Sequence, residues 1–210
     1  MIFLGDEIKF PNVETANTEG ILAIGGDLSS ERLILAYKSG IFPWYNEGEP
    51  IIWYSPNPRM VLFPNKLKVS KSMKQVLRKG DFKVTFNQSF REVISNCKTI
   101  DRNDQAGTWI TEEMQNSYIE LHKLGIAKSV EVWKENILVG GLYGIDLGHI
   151  FCGESMFSKV SNASKIAFIF LSRKLEKENY KFIDCQVYNE HLASLGAEEI
   201  PRKEFIKMLQ

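Results

Sequence analysis

The sequence predicts an α/β protein, α+β in detail, with a small N-terminal domain over residues 1–57 and a larger domain with a mixed sheet over residues 58–210. Three observations predict it. The first third is irregular and crowded with Pro and aromatic residues, as in IFPWYNEGEPIIWYSPNPR. After about residue 58 the chain settles into helix-period and strand-period patterns. Its second half then runs hairpin, strand, long helix, strand, short helix, an order that calls for a largely antiparallel sheet feeding one parallel crossover.

GDLSSERLILAYKSG reads as a short helix, in which Ser29 can cap the start, Glu31 favours the first turn and Gly40 supplies a left-handed stop. The Pro-rich segment that follows cannot continue a helix and is expected to pair short extended pieces around the NEGEP turn. Residues 70–79, SKSMKQVLRK, form a basic helix ended by Gly80, and residues 82–86 alternate as a strand. Helices are expected over 88–97 and 111–124, the second capped by Thr111 with acids in its first turn. SVEVW, the turn KEN and ILVGGLYGI make a hairpin whose glycines permit close backbone approach, and HIFCGESMF is a further strand. Asn162 is expected to cap a helix running to about Glu178; KFIDCQVY is the next strand, followed by a short helix in NEHLASLG and a last one after Pro201. The first ten residues receive no role. The order of these elements resembles the GNAT-type acyltransferase fold.

Bulk properties narrow the function. With 26 basic and 26 acidic residues, net charge points to no polyanionic partner, so only a local patch can serve one. IAFIFL is too short to span a bilayer, and Asp6 and Glu7 interrupt any signal-like start. Cys97, Cys152 and Cys185 stand far apart with no CxxC, as reduced thiols do. A cytoplasmic, non-membrane monomer is the expectation, with no metal and no cofactor. Zinc-knuckle spacing, HExxH, a Walker loop and GxGxxG are all missing from the sequence.

The chemistry concentrates in two strands. In KFIDCQVY, period-two alternation puts Phe182, Asp184, Gln186 and Tyr188 on one face and Ile183, Cys185 and Val187 on the other. Cys185 is then packing, and Asp184 with Gln186 can grip one small polar group; the bland alternative is that the two bond neighbouring loops. In FCGESMFS the same rule groups Cys152, Glu154 and Met156 against Phe151, Gly153, Ser155 and Phe157. Two carboxylates on two strands imply a shared cleft that holds a cation or accepts a proton. Lys71, Lys74, Arg78 and Lys79 belong to a one-sided basic stretch, either a solvated helix face or a phosphate footprint. Phe42, Trp44, Tyr45, Trp53 and Tyr54, with Trp109 and Tyr118 further on, are either core or a stacking platform for a nucleobase.

Eight stretches in order, from GILAIGGDLSSERLILAYKSGIFPWY and IIWYSPNPRMVL through GTWITEEM, LVGGLYGI, FCGESMFS, NASK and FIDCQV to HLASLGAEEIPR, resemble the leucyl/phenylalanyl-tRNA–protein transferase family over nearly the whole chain. That resemblance implies a GNAT-like catalytic domain behind a small N-terminal one. It implies transfer of Leu or Phe, with Met as a further donor, from aminoacyl-tRNA to proteins beginning with Lys or Arg, which marks them for N-end-rule degradation. Asp184 and Gln186 would be the catalytic pair, with Asp184 as the general base that accepts a hydrogen bond from the attacking amine and assists its deprotonation, and Glu154 would line the same cleft. Tyr37, Trp44, Trp109 and Tyr118 would hold the aminoacyl-adenosine end, and Lys71, Lys74, Arg78 and Lys79 the tRNA backbone. Leu142, Phe151, Gly153, Met156, Phe168, Leu171 and Ile183 would build the donor side-chain pocket. Leu142 and Leu171 stand where Met and Phe are familiar, swaps that keep hydrophobicity and rough volume. Two rivals differ in class: an acetyl-CoA-dependent acetyltransferase, whose pyrophosphate loop the sequence lacks, and an RNA-binding module, for which Asp184 and Gln186 would be dispensable.

Overall fold

A computed structural model of the chain describes residues 2–100 and 110–210. The N-terminal elements are β1 (Ile2–Leu4), β2 (Ile21–Gly25), α1 (Ser30–Lys38), β3 (Phe42–Pro43) and β4 (Ile52–Tyr54). They make a four-stranded sheet in the order β1-β2-β4-β3, with β1 parallel to β2 and the other pairs antiparallel. Ser29 caps α1 through its side chain and Gly40 follows in the left-handed region, as the sequence implied. The first residues do have a role: β1 forms an edge of this sheet, and Arg32 on α1 pins the following turn by donating to the carbonyls of Gly5, Asp6 and Glu7.

The rest comprises β5 (Arg59–Leu62), α2 (Lys71–Lys79), β6 (Lys83–Phe86), α3 (Phe90–Thr99), α4 (Glu112–Lys123), β7 (Ala127–Lys134), β8 (Ile137–Asp146), β9 (Ile150–Ser158), α5 (Ala163–Lys177), β10 (Phe182–Gln186), α6 (Glu190–Ser194), β11 (Glu198–Ile200) and α7 (Arg202–Leu209). Seven strands form one mixed sheet, β11-β5-β10-β9-β8-β7-β6. β6 to β9 pair antiparallel, and α5 carries the chain across to β10, which lies parallel to β9. The mixed α/β class and the hairpin-strand-helix-strand order are therefore as the sequence predicted. β5 and β11, which add two antiparallel strands beyond β10, were not anticipated.

Two local expectations need correction. Asn162 does not cap α5 with its side chain; it takes a left-handed backbone instead, and Ser158 Oγ accepts the Ser164 N–H at 3.2 Å. α3 starts at Phe90, two residues late; the Ser89 side chain accepts no bond from the first turn, and the Ser89 N–H donates to the buried Glu131 carboxylate at 3.4 Å. The glycine-rich β8 behaves as expected. A Cβ on Gly144 would stand 2.2 Å from the Cys152 carbonyl, so only Gly lets β8 and β9 approach there.

The core divides across the large sheet. One cluster joins Leu22, Leu33 and Trp53 of the small sheet to Tyr118, Tyr143, Phe182 and Phe205 of the larger part. The other, on the α5 side, packs Leu142, Phe151, Phe168, Leu171 and Ile183. The site lies where these two clusters meet along β9 and β10.

Candidate active site

A cavity of about 660 Å³ opens beside β9 and β10. All seven expected donor-pocket residues, Leu142, Phe151, Gly153, Met156, Phe168, Leu171 and Ile183, line it, and so do Glu154, Asp184, Gln186 and Trp44. Phe42, Val187 and Tyr188 complete its mouth, the last of them 58% exposed. A wall of this size and apolarity suits one amino-acid side chain with part of its attached group.

Simple alternation does not build this wall. On β9, Tyr143 pairs with Ser155 and Gly144 with Gly153, which leaves Glu154 as the extra residue of a β-bulge. Beyond the bulge the faces exchange. Phe151 and Met156 therefore share the α5-side cluster while Cys152 and Phe157 share the other, correcting the grouping of Met156 with Cys152. On β10, Asp184 pairs with Val61 and Gln186 with Met60, so Cys185 is the bulged residue. Gln186 takes φ +65°, a left-handed conformation uncommon for a residue with a Cβ. Cys185 keeps its packing role against Ile183 and its neighbours. The alternation that was to put Asp184 and Gln186 on one face stops at the bulge.

The bulges assemble a polar chain. Gln186 Nε2 donates to Glu154 Oε1 at 2.7 Å, and the Tyr118 hydroxyl donates to Glu154 Oε2 at 3.0 Å. Tyr37, in turn, forms a short hydrogen bond to the Tyr118 hydroxyl. Glu154 is half-buried on the cavity wall. Burial raises its carboxyl to about 8 against the pull of the Tyr37, Tyr118 and Gln186 hydrogen bonds, with the Asp184 charge adding to the rise. Burial and the same Glu154 charge push both tyrosines well above their usual range, so they remain donors.

Asp184 is held differently. It is 1% exposed, and Arg59, equally buried, grips it with two parallel bonds, Nε to Oδ1 at 2.8 Å and Nη2 to Oδ2 at 2.7 Å. The Gln186 backbone N–H adds a third bond to Oδ1 at 2.9 Å. Sequence reasoning missed Arg59. The available signal was an arginine opening the run RMVL, since a cation at the head of an otherwise apolar strand needs a partner if the strand is buried.

The remaining expected residues separate. Tyr37 and Tyr118 are fully buried behind Glu154, away from the cavity wall, with their hydroxyls linked to one another and to the carboxylate. Trp44, 37% exposed at the mouth, is free to stack. Trp109 lies outside the described residues. Lys71, Lys74, Arg78 and Lys79 are exposed on α2 and do not line the cavity. Cys152 is buried, and desolvation raises its thiol well above the ordinary value, as does the neighbouring Asp184. Among the described residues, no three His, Cys, Asp or Glu side chains converge as a metal site would require, and no helix is long and apolar enough to cross a membrane.

An apolar cavity that ends on a carboxyl and an amide, with two tyrosine hydroxyls behind the carboxyl, on a mixed sheet with a helical crossover, has the parts of an acyl-transfer site. The chain is an aminoacyltransferase. Residues 61–210 match the family model of leucyl/phenylalanyl-tRNA protein transferase and residues 26–57 that of its N-terminal domain, so the chain belongs to this family. It is 66% identical over 210 residues to the leucyl/phenylalanyl-tRNA–protein transferase of Flavobacterium johnsoniae, covering 100% of this chain and 99% of that one. The Flavobacterium psychrophilum protein of the same name is 60% identical with full coverage of both, and that of Syntrophus aciditrophicus 56% identical over 99% of this chain and 87% of its own. Among solved structures, a GCN5-related N-acetyltransferase from Kribbella flavida aligns over 80% of this chain and 59% of its own at 8% identity and a TM-score of 0.40.

Proposed function

We propose that the protein transfers Leu or Phe, with Met as a further donor, from aminoacyl-tRNA to the N-terminal α-amine of proteins beginning with Lys or Arg, marking them for N-end-rule degradation in the cytoplasm. The observation that carries this reading is the apolar cavity ending on the Glu154–Gln186–Tyr118 chain. An aliphatic side chain unbranched at Cβ, or an aromatic one, fills the space between Leu142, Phe151, Met156, Phe168, Leu171 and Ile183, and its ester carbonyl then stands near Glu154. Trp44 at the mouth stacks on the terminal nucleoside, and the exposed cations of α2 follow the phosphate backbone. Residues 1–57 remain a small domain that supplies one lip of the mouth through Phe42 and Trp44, and the protein acts as a monomer.

The donor ester is already activated, so the enzyme must orient a neutral amine and move one proton. Orientation can contribute roughly 7–11 kcal/mol. The amine nitrogen bonds to the ester carbonyl carbon and the bond from that carbon to the ribose oxygen breaks. The proton released by nitrogen passes to Glu154 and from there to the departing ribose oxygen, so atoms and charge balance with no oxidant, metal or covalent enzyme intermediate. A carboxyl near 8 matches the α-amine, whose own value is about 8, and that match favours proton transfer in both directions. Gln186 and Tyr118 hold Glu154 in place.

The test is to incubate the protein with labelled Leu-tRNA and an Arg-starting peptide. Labelled peptide is expected. Its absence, with intact Leu-tRNA recovered, contradicts the reading, and label transfer from acetyl-CoA in its place would assign the acetyltransferase rival.

A further inference from the structure

The buried pair Arg59–Asp184 lies off the proton path just described, yet it is the most heavily constrained polar feature beside the site. Asp184 accepts two bonds from Arg59 and one from the Gln186 N–H, and is 1% exposed. Three of a carboxylate's roughly four acceptor positions are thereby taken by the protein itself, which leaves little of it for a substrate amine to reach. The guanidinium itself lies between two rings, 4.8 Å from the Phe42 centroid and 4.6 Å from that of Phe205. Arg59 is thus fixed by stacking, Asp184 by Arg59, and the left-handed backbone of Gln186 by Asp184. From that backbone the Gln186 side chain reaches Glu154.

We propose that Arg59 is a positioning residue for aminoacyl transfer: through Asp184 it locks the β10 bulge so that the Gln186 amide holds Glu154, and Asp184 takes no proton from substrate. The inference rests on the transfer reading above. It moves Asp184 from base to clamp. It also ties the small N-terminal sheet to the chemistry, because Phe42 of β3 both stacks on Arg59 and lines the cavity mouth.

The experiment is single-turnover transfer from Leu-tRNA to an Arg-starting peptide between pH 6 and 8, for the wild type, Arg59→Lys, Asp184→Asn and Glu154→Gln, with melting curves for each. The wild type needs both the amine and Glu154 deprotonated, so the logarithm of its rate is expected to rise with a slope of about two on the acid side. Glu154→Gln leaves a slope of about one, from the amine alone. Arg59→Lys keeps the charge and loses the fork; it should slow transfer about 3- to 10-fold, and Asp184→Asn about 10- to 100-fold, with the apparent KM for Leu-tRNA within about twofold and the slope of about two retained. If Asp184→Asn fails to fold, the double variant Arg59→Met/Asp184→Leu removes both buried charges and should fold with slow transfer and the same slope. A loss of about 10³-fold or more in Asp184→Asn or in the double variant, with Glu154→Gln near the wild-type rate, overturns the clamp and makes Asp184 the base. An unchanged rate in Arg59→Lys overturns it as well. A wild type that transfers nothing removes the transfer reading and the clamp with it, whereas an active wild type with either contrary variant removes the clamp alone.

Discussion

The apolar wall of the cavity and the polar chain beside it rise from the same strands, yet they are built by different rules. The wall is many side chains of similar kind, Phe151, Met156, Phe168 and Leu171 among them, each contributing burial that a neighbour can partly replace. The chain is serial: Phe42 and Phe205 hold Arg59, Arg59 holds Asp184, Asp184 holds the Gln186 backbone, and Gln186 with Tyr118 holds Glu154. Damage to the wall should be graded, and damage to the chain should spread to everything downstream of the break.

The largest expected effect lies at the end of the chain. Glu154→Gln should lower the transfer rate about 10²- to 10⁴-fold with little change in Leu-tRNA affinity, measured by single-turnover kinetics and filter binding. A loss confined to KM would move Glu154 into the wall's category. Arg59→Ala comes next, and its effect is on folding. It leaves a buried, uncompensated Asp184, so denaturant unfolding should show a loss of about 3–5 kcal/mol. A cost below about 1 kcal/mol would place the pair with exposed ion pairs and break the serial account.

The wall should respond less and more selectively. Leu171→Phe is expected to shift the Leu-to-Phe preference by about tenfold and by no more than about 200-fold, because one or two methylene-sized changes are worth about 1–3 kcal/mol. Competition between the two charged tRNAs reads this directly, and an unchanged ratio would put the donor side chain elsewhere. Gln186→Gly separates the two regions within one residue. Glycine relieves the left-handed backbone, so stability should hold or rise by up to about 1 kcal/mol while transfer falls for lack of the amide.

A further expected effect is in pH-dependent stability. Glu154 stands at about 8 in the folded protein against an ordinary 4.5, so between those values the folded state holds a proton that the unfolded chain has lost. That contribution is fully present below pH 4.5 and disappears as pH rises to about 8. Replacing Glu154 by Gln removes the loss. The melting temperature of Glu154→Gln relative to wild type should therefore be higher at pH 8 than at pH 5, and an equal difference at both would show that burial does not penalise this carboxylate.

The same contrast explains what could be read from the sequence. The wall was legible through the family resemblance, which named its seven members, and all seven meet at the cavity; their apolar character alone would not separate them from the rest of the core. Asp184, Gln186 and Glu154 were legible as polar residues inside apolar strands. Their arrangement was not, since it depends on bulges at Glu154 and Cys185, and a one-residue insertion into a ladder reverses every later side chain without changing composition. Arg59 was out of reach for another reason. Its partner is 125 residues away, on a strand brought beside β5 only when the whole sheet assembles. Strand β1 was missed because three residues, IFL, are too few to show a period.

The central claim is that the cavity delivers an aminoacyl ester to an amine beside Glu154. It is tested most directly by single-turnover transfer of labelled leucine from Leu-tRNA to an Arg-starting peptide, with wild type and Glu154→Gln side by side. Rapid transfer by the wild type and a loss of at least about 100-fold in the variant, with Leu-tRNA still bound, is the predicted result. Equal rates in the two proteins, or no transfer by a folded wild type, would contradict it.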